Sequence, residues 1–136
     1  MADEISEKIN KYGGLSNGVN KIYNLLDEKF VLNLFNKEIL PKYPEFSEIK
    51  QIKTALIKDN IWIFTYHVVI EYQTTFINLE KKPETLPIYC TAHSDEPRLN
   101  SFEALTFLWQ NGFNKGNLTI PRPLFYSPDF NAFFYQ

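Results

Sequence analysis

Residues 61–76 decide the fold: Ile-Trp-Ile-Phe-Thr-Tyr-His-Val-Val-Ile-Glu-Tyr-Gln-Thr-Thr-Phe. The even positions Trp62, Phe64, Tyr66, Val68, Ile70 and Tyr72 are all apolar or aromatic, whereas the odd positions include Thr65, His67 and Glu71. A period of two, carried by β-branched and aromatic side chains, predicts a strand with one wholly apolar face. Residues 49–57 alternate more weakly, with Ile49, Gln51 and Lys53 set against Lys50, Ile52 and Thr54. Lys58-Asp59-Asn60 is a polar cluster between the two runs, so they are expected to form a β-hairpin that turns there.

On the N-terminal side, residues 20–43 change to helical spacing. Ile22, Leu26 and Phe30 lie four apart, as do Phe35 and Ile39. Asp27 is placed to cap a second helix, because its carboxylate can accept the unpaired N–H groups of a first turn. Two short helices fit as well as one long one, with Pro41 and Pro44 ending the run. Three of the five glycines fall in residues 13–18, and residues 1–18 are expected to be a flexible or loosely docked segment.

On the C-terminal side, residues 78–85 form a polar loop and residues 86–93 a third strand candidate. Ser94-Asp95-Glu96-Pro97 has the makings of a helix start: a capping side chain, acids and a proline in the first turn. Leu99, Phe102, Leu105 or Thr106, and Trp109 are then the expected buried stripe, and Asn111-Gly112 the stop. Pro121 and Pro123 keep residues 118–126 extended. Ser127-Pro128-Asp129 makes a turn, and residues 130–136 are the last strand. The expected class is α+β: an antiparallel sheet of about five strands, one inserted helix, and N-terminal helices packed on the sheet.

Composition sets the bounds. A chain of 136 residues, 44% hydrophobic and 16% aromatic, is one domain with enough apolar material for a core. Fourteen Lys and Arg against 16 Asp and Glu, net −2, leave no basic excess for nucleic acid. Without a basic groove, the 12 Phe, 8 Tyr and 2 Trp read as core and covered surface rather than as a base-stacking platform. No run approaches the ~18 apolar residues of a membrane span, the N-terminus has no apolar leader, and Cys90 is the single cysteine. The expectation is a cytoplasmic protein with no membrane partner. His67, Cys90 and His93 are the only soft metal ligands, and strand alternation points Cys90 and His93 to opposite faces, so neither a zinc site nor a Cys–His nucleophile is expected. No Walker A run, nucleophile elbow or dinucleotide fingerprint is present.

Three strands, a helix and two strands follow one another as in a protein-kinase-like N-lobe. Ile88-Tyr89-Cys90-Thr91-Ala92-His93 precedes Phe102-Glu103-Ala104-Leu105 and Phe107-Leu108-Trp109. Then Thr119-Ile120-Pro121-Arg122-Pro123-Leu124-Phe125-Tyr126 leads to Phe133-Phe134-Tyr135. Over residues 86–136 the chain resembles the aminoglycoside phosphotransferase/choline kinase-like family, whose members show an "EAL" helix and a "VPRP" segment before the fourth strand. The resemblance implies a kinase-like N-lobe over residues 19–136. It implies an ATP-binding transferase acting on a small hydroxylated substrate, with the missing C-lobe as partner and magnesium held only when that lobe is present. Glu103 matches the glutamate that positions the nucleotide-binding lysine, but Thr91 stands where that lysine is expected. Lys81 and Lys82 lie in the preceding loop and are poor replacements. The first hairpin turn lacks the glycines of a phosphate loop, and Lys58 there reads first as a solvated turn residue. The sequence stops among apolar residues at the expected hinge, which reads as a fragment that is not catalytic alone and leaves its status as an enzyme undecided. The alternatives are a stand-alone, non-catalytic α+β binding or interaction domain, or a pseudokinase-type lobe.

Overall fold

A computed structural model describes residues 21–62, 64–117 and 119–136. The segment expected to be flexible, residues 1–18, lies outside the described residues. A 3-10 turn, Lys21–Leu26, leads into helix α1, Glu28–Glu38, and a second 3-10 turn, Leu40–Lys42. Strands β1 (Phe46–Ile61), β2 (Tyr66–Asn78) and β3 (Pro83–His93) follow. Helix α2 (Arg98–Leu108) and a π turn (Trp109–Phe113) then precede β4 (Pro123–Ser127) and β5 (Ala132–Tyr135). The strands form one five-stranded antiparallel sheet in the order β1-β2-β3-β5-β4. The expected α+β class is what the chain adopts.

The sheet register follows from the apolar face of the decisive stretch. Val68 pairs with Ala92, Ile70 with Cys90 and Tyr72 with Ile88, and all six side chains are fully buried. Cys90 and Ala92 continue across to Phe134 and Ala132 of β5. α1 closes this face. Asp27 caps it, its Oδ1 accepting from the N–H of Lys29 at 2.9 Å and of Phe30 at 3.3 Å, and Val31 and Phe35 are buried. The Phe35 ring meets Tyr72 at 5.1 Å and Phe134 at 5.7 Å, both edge to face, an arrangement that aligns ring edge with ring face. The Tyr72 hydroxyl, buried among these rings, donates to the Leu25 carbonyl at 2.6 Å. Every buried polar group needs such a partner.

The hairpin turn is displaced from its expected position. Lys58, Asp59 and Asn60 pair with Val69, Val68 and His67 inside the ladder, and the ladder runs on past them to Ile61 and Tyr66, with the Trp62 N–H donating to the Thr65 carbonyl at 2.8 Å. Trp62 and Phe64, expected on the apolar face, stand exposed at that turn. Backbone pairing with β2 outweighed the turn preference of three polar residues. β1 also departs from simple alternation: Phe46, Ile49 and Ile52 are all buried although they lie three apart. Ladder irregularities between Phe46 and Glu48 and between Ile49 and Gln51 each insert a residue, and a bulge of that kind returns the next side chain to the same face.

α2 differs from expectation in two ways. It begins after the acidic residues, at Arg98, with Pro97 in the cap position and no side-chain cap bond. It also buries none of its residues, and Leu99 is 41% exposed. Its apolar contact with the sheet runs through the Phe102 ring, 6.2 Å from Phe133 and 6.4 Å from Tyr126. Gly112, at φ 106°, takes the left-handed turn expected of a helix stop. β5 lies between β3 and β4, with Phe133 and Phe134 buried.

Candidate functional site

Strand alternation sends the odd-numbered side chains of β2, β3 and β5 away from α1 and toward α2. Val69 pairs with Thr91, and Thr91 with Phe133, so the three lie side by side across the sheet. Together with Tyr135, Leu105 of α2 and Pro121 they wall an open, mainly apolar cleft of about 300 Å³. Because α2 touches the sheet through Phe102 rather than along a full stripe, the space between Leu105 and the strands stays unfilled.

Thr91 is thus in the cleft wall and buried. Glu103 is not brought to it: it is exposed on α2, and among the described residues it makes no hydrogen bond or ion pair. Leu105, not Glu103, is the α2 residue that shares the cleft with Thr91. Among the described residues the cleft wall carries no cationic side chain. Its flat, apolar surfaces suit a planar ring, and the Thr91 hydroxyl can donate or accept one hydrogen bond. It cannot compensate phosphate charge as an ammonium would. The residues present therefore fit the base of a nucleotide and not its triphosphate. Lys58, weighed as a phosphate contact in a turn, lies in β1 instead.

A polar cluster occupies the same sheet face beside the β1–β2 turn. His67 and His93 pair across β2 and β3, with ring centroids 4.7 Å apart. They border a cavity of about 250 Å³ together with Asn60, Trp62, Thr65 and Asp95. Arg98 Nη2 lies 3.1 Å from His67 Nε2 and 3.5 Å from Glu96. His93 Nδ1 accepts from the N–H groups of Asp95 at 3.0 Å and Glu96 at 2.9 Å, so a histidine ring, not Ser94, organises the turn before α2. Ser94 Oγ instead accepts from the Tyr66 N–H at 3.0 Å. Asn131, at φ 45° in the β4–β5 turn, donates through Nδ2 to the carbonyls of His93 and Glu96. Its Oδ1 accepts from the Arg98 N–H at 3.3 Å and from the Tyr126 hydroxyl at 3.0 Å.

Burial, reinforced by the nearby charges of Lys58 and Arg98 and by His93, holds the His67 imidazole below its ordinary pKa, with Glu96 opposing weakly. Burial pushes the Cys90 thiol up. Cys90 faces α1 while His93 faces α2, as alternation implied, and a thiol so buried is inert as a nucleophile. Among the described residues no group of three or more His, Cys, Asp or Glu side chains could hold a metal ion, and no helix is long and apolar enough to cross a membrane.

The pairing of His67 with His93 was open to sequence reasoning. A hairpin centred on residue 80 places residues whose numbers sum to 160 opposite each other. Nothing in the sequence pointed to Arg98 or Asn131, whose roles depend on the β4–β5 turn folding back beside α2. Compared with known proteins, the chain matches no family model, no curated protein and no solved structure. What the fold and the site define is a class: a small antiparallel α+β domain with an open cleft between its sheet and an inserted helix.

Proposed function

We propose that this chain is the nucleotide-facing lobe of an ATP-dependent small-molecule phosphotransferase of the aminoglycoside phosphotransferase type, and that it is not catalytic alone. The observation that carries the reading is the cleft of about 300 Å³ between α2 and the β2-β3-β5 face. It lies on the side of the sheet where the resemblance places adenine, and Thr91 stands in its wall. The chain order of β1, β2, β3, α2, β4 and β5 in one sheet supports the same reading. Val69, Leu105, Phe133 and Tyr135 would hold the base between apolar surfaces. Phosphate charge, magnesium and the general base would be met by the partner lobe, and no transfer step is assigned to these residues. In the pseudokinase form of this reading, the uncharged Thr91 leaves the lobe binding nucleotide weakly.

The test is titration of the isotopically labelled chain with adenosine and with ATP, followed residue by residue in NMR spectra. Both should shift the signals of Val69, Thr91, Leu105 and Phe133, with affinities on the order of 1 mM. Thr91→Lys should raise the affinity for ATP at least about tenfold over that for adenosine, because an ammonium meets phosphate and not the base. If neither ligand moves these four residues, the nucleotide reading is wrong.

A second reading, a stand-alone non-catalytic binding or interaction domain, is favoured by the outer surface of α2 and its π turn. Leu99, Phe107, Leu108 and Phe113 are exposed there, and an apolar surface of that kind marks a site of association. A monomeric chain that melts cooperatively and binds neither ligand would support this reading over the first.

A further inference from the structure

The cluster at the N-terminal end of α2 has a property that the cleft does not explain. An arginine side chain has only donors, so the contact of Arg98 Nη2 with His67 Nε2 at 3.1 Å requires that nitrogen to be unprotonated. His93 Nδ1 is subject to the same condition twice, since it accepts from two backbone N–H groups, those of Asp95 and Glu96. The bond from Arg98 that joins the sheet to the first turn of α2, and the two that His93 accepts from the turn just before it, therefore exist only while those ring nitrogens are unprotonated. We infer that His67, His93 and Arg98 form an acid-released latch that seats the N-terminal end of α2 against the sheet.

Every charged or titratable group facing the cluster bears on this. Lys58 of β1 and Arg98 of α2 disfavour a proton on His67, as does His93 of β3. A proton on either ring would place a cation against the Arg98 guanidinium and against the second ring, 4.7 Å away. Glu96 and Asp95 oppose this. The Glu96 side chain lies 3.9 Å from His93 Nε2 and is 65% exposed, so solvent screens its attraction, and Asp95 borders the adjoining cavity. The seated state is also held by a narrow margin. Arg98 Nε is buried without a hydrogen-bond partner among the described residues, which opposes its burial, and α2 buries no side chain that would hold it independently.

Protonation thus removes the acceptors that Arg98, Asp95 and Glu96 use, and frees the first turn of α2 except for the Asn131 contacts. Because Leu105 on the same helix walls the cleft, release changes the shape of that cleft whatever it binds. The sign follows from linkage. A histidine held below its ordinary pKa in the folded state contributes stability in full above about pH 6.5, and loses it as the pH falls from there through the lowered value.

Hydrogen exchange read by mass spectrometry on the 136-residue chain tests the latch. Between about pH 7.5 and about pH 5.5, after correction for intrinsic rates, protection of the α2 amides should fall at least about tenfold more than that of the β2 amides. In His67→Gln, whose amide oxygen can accept from Arg98 but does not titrate, the excess loss should shrink to about threefold or less. If α2 protection tracks β2 in the native chain, or if the full excess persists in the variant, the latch is overturned. Should the variant not fold, NMR titration of the histidine rings in the unaltered chain decides the matter. A His67 midpoint below about 6.5 that coincides with the loss of α2 protection upholds the latch, and a midpoint at or above that value overturns it.

Discussion

Helices α1 and α2 are both 11 residues long, yet they are held to the sheet by different physics. α1 has a carboxylate cap and a buried apolar stripe, and its Phe35 is enclosed by Tyr72 and Phe134. α2 has neither a side-chain cap nor a buried residue. It is fastened at its N-terminal end by His93, Arg98 and Asn131, and along its length by Phe102. A helix seated by dispersion and hydrophobic burial has one deep minimum, because any displacement opens a void. A helix seated by a few polar contacts at one end can be released by altering those contacts. The cleft lies beside the second kind, which is where a ligand or partner could move a wall without unfolding the core.

Three substitutions test that contrast, from the largest expected effect to the smallest. Phe35→Ala removes the ring that joins α1 to the sheet. Truncating a fully buried phenylalanine costs about 3–5 kcal/mol, so urea denaturation should show a chain near the limit of folding. A loss below about 1 kcal/mol would mean that α1 is not the anchored helix. Asn131→Ala should cost about 2 kcal/mol, since it leaves the carbonyls of His93 and Glu96 without their donor and puts alanine at a positive φ that asparagine tolerates better. Its more telling readout is local: α2 amides should exchange faster while β2 amides keep most of their protection. Uniform loss across the chain would show that α2 is not separately fastened. Phe107→Ser, at a site 64% exposed, should change stability by less than about 0.5 kcal/mol. A larger destabilisation would mean that the outer face of α2 is packed after all.

The sequence conveyed these regions unequally. The alternation in residues 61–76 predicted the buried face of β2 residue by residue, and Asp27 caps α1 as its position implied. Both signals are local, because strand alternation and N-capping depend on neighbours within a few residues. The misreadings share one cause. Lys58-Asp59-Asn60 resembled a turn and became strand because β2 offered hydrogen-bond partners across the ladder. Ser94-Asp95-Glu96 resembled a cap and became a turn organised by His93. The apolar spacing of α2 predicted a buried stripe, but burial needs a surface to pack against, and α2 rests on little more than Phe133 and Tyr126. Of the two residues singled out for nucleotide, Thr91 reached the cleft by its register with Val69, while Glu103 lies on exposed helix surface. The register was legible once β2 and β3 were paired. The inward side of α2 was legible as well, since Phe102, Leu105, Thr106 and Trp109 of the expected stripe are half-buried while Leu99 is exposed; how shallowly the helix packs was not, because that depends on the sheet surface it meets.

By itself, then, the sequence determined that this chain forms an antiparallel α+β fold, which face of β2 is buried, and where α1 begins. Those are consequences of periodicity and capping over short stretches. Only the tertiary structure decided that the β1–β2 ladder extends to Ile61 and Tyr66, that Thr91 shares a cleft with Leu105, and that two histidines and an arginine meet at the foot of α2. These depend on ladder bulges and on turns folding back over tens of residues, where the winning contact is set by geometry that no local pattern encodes.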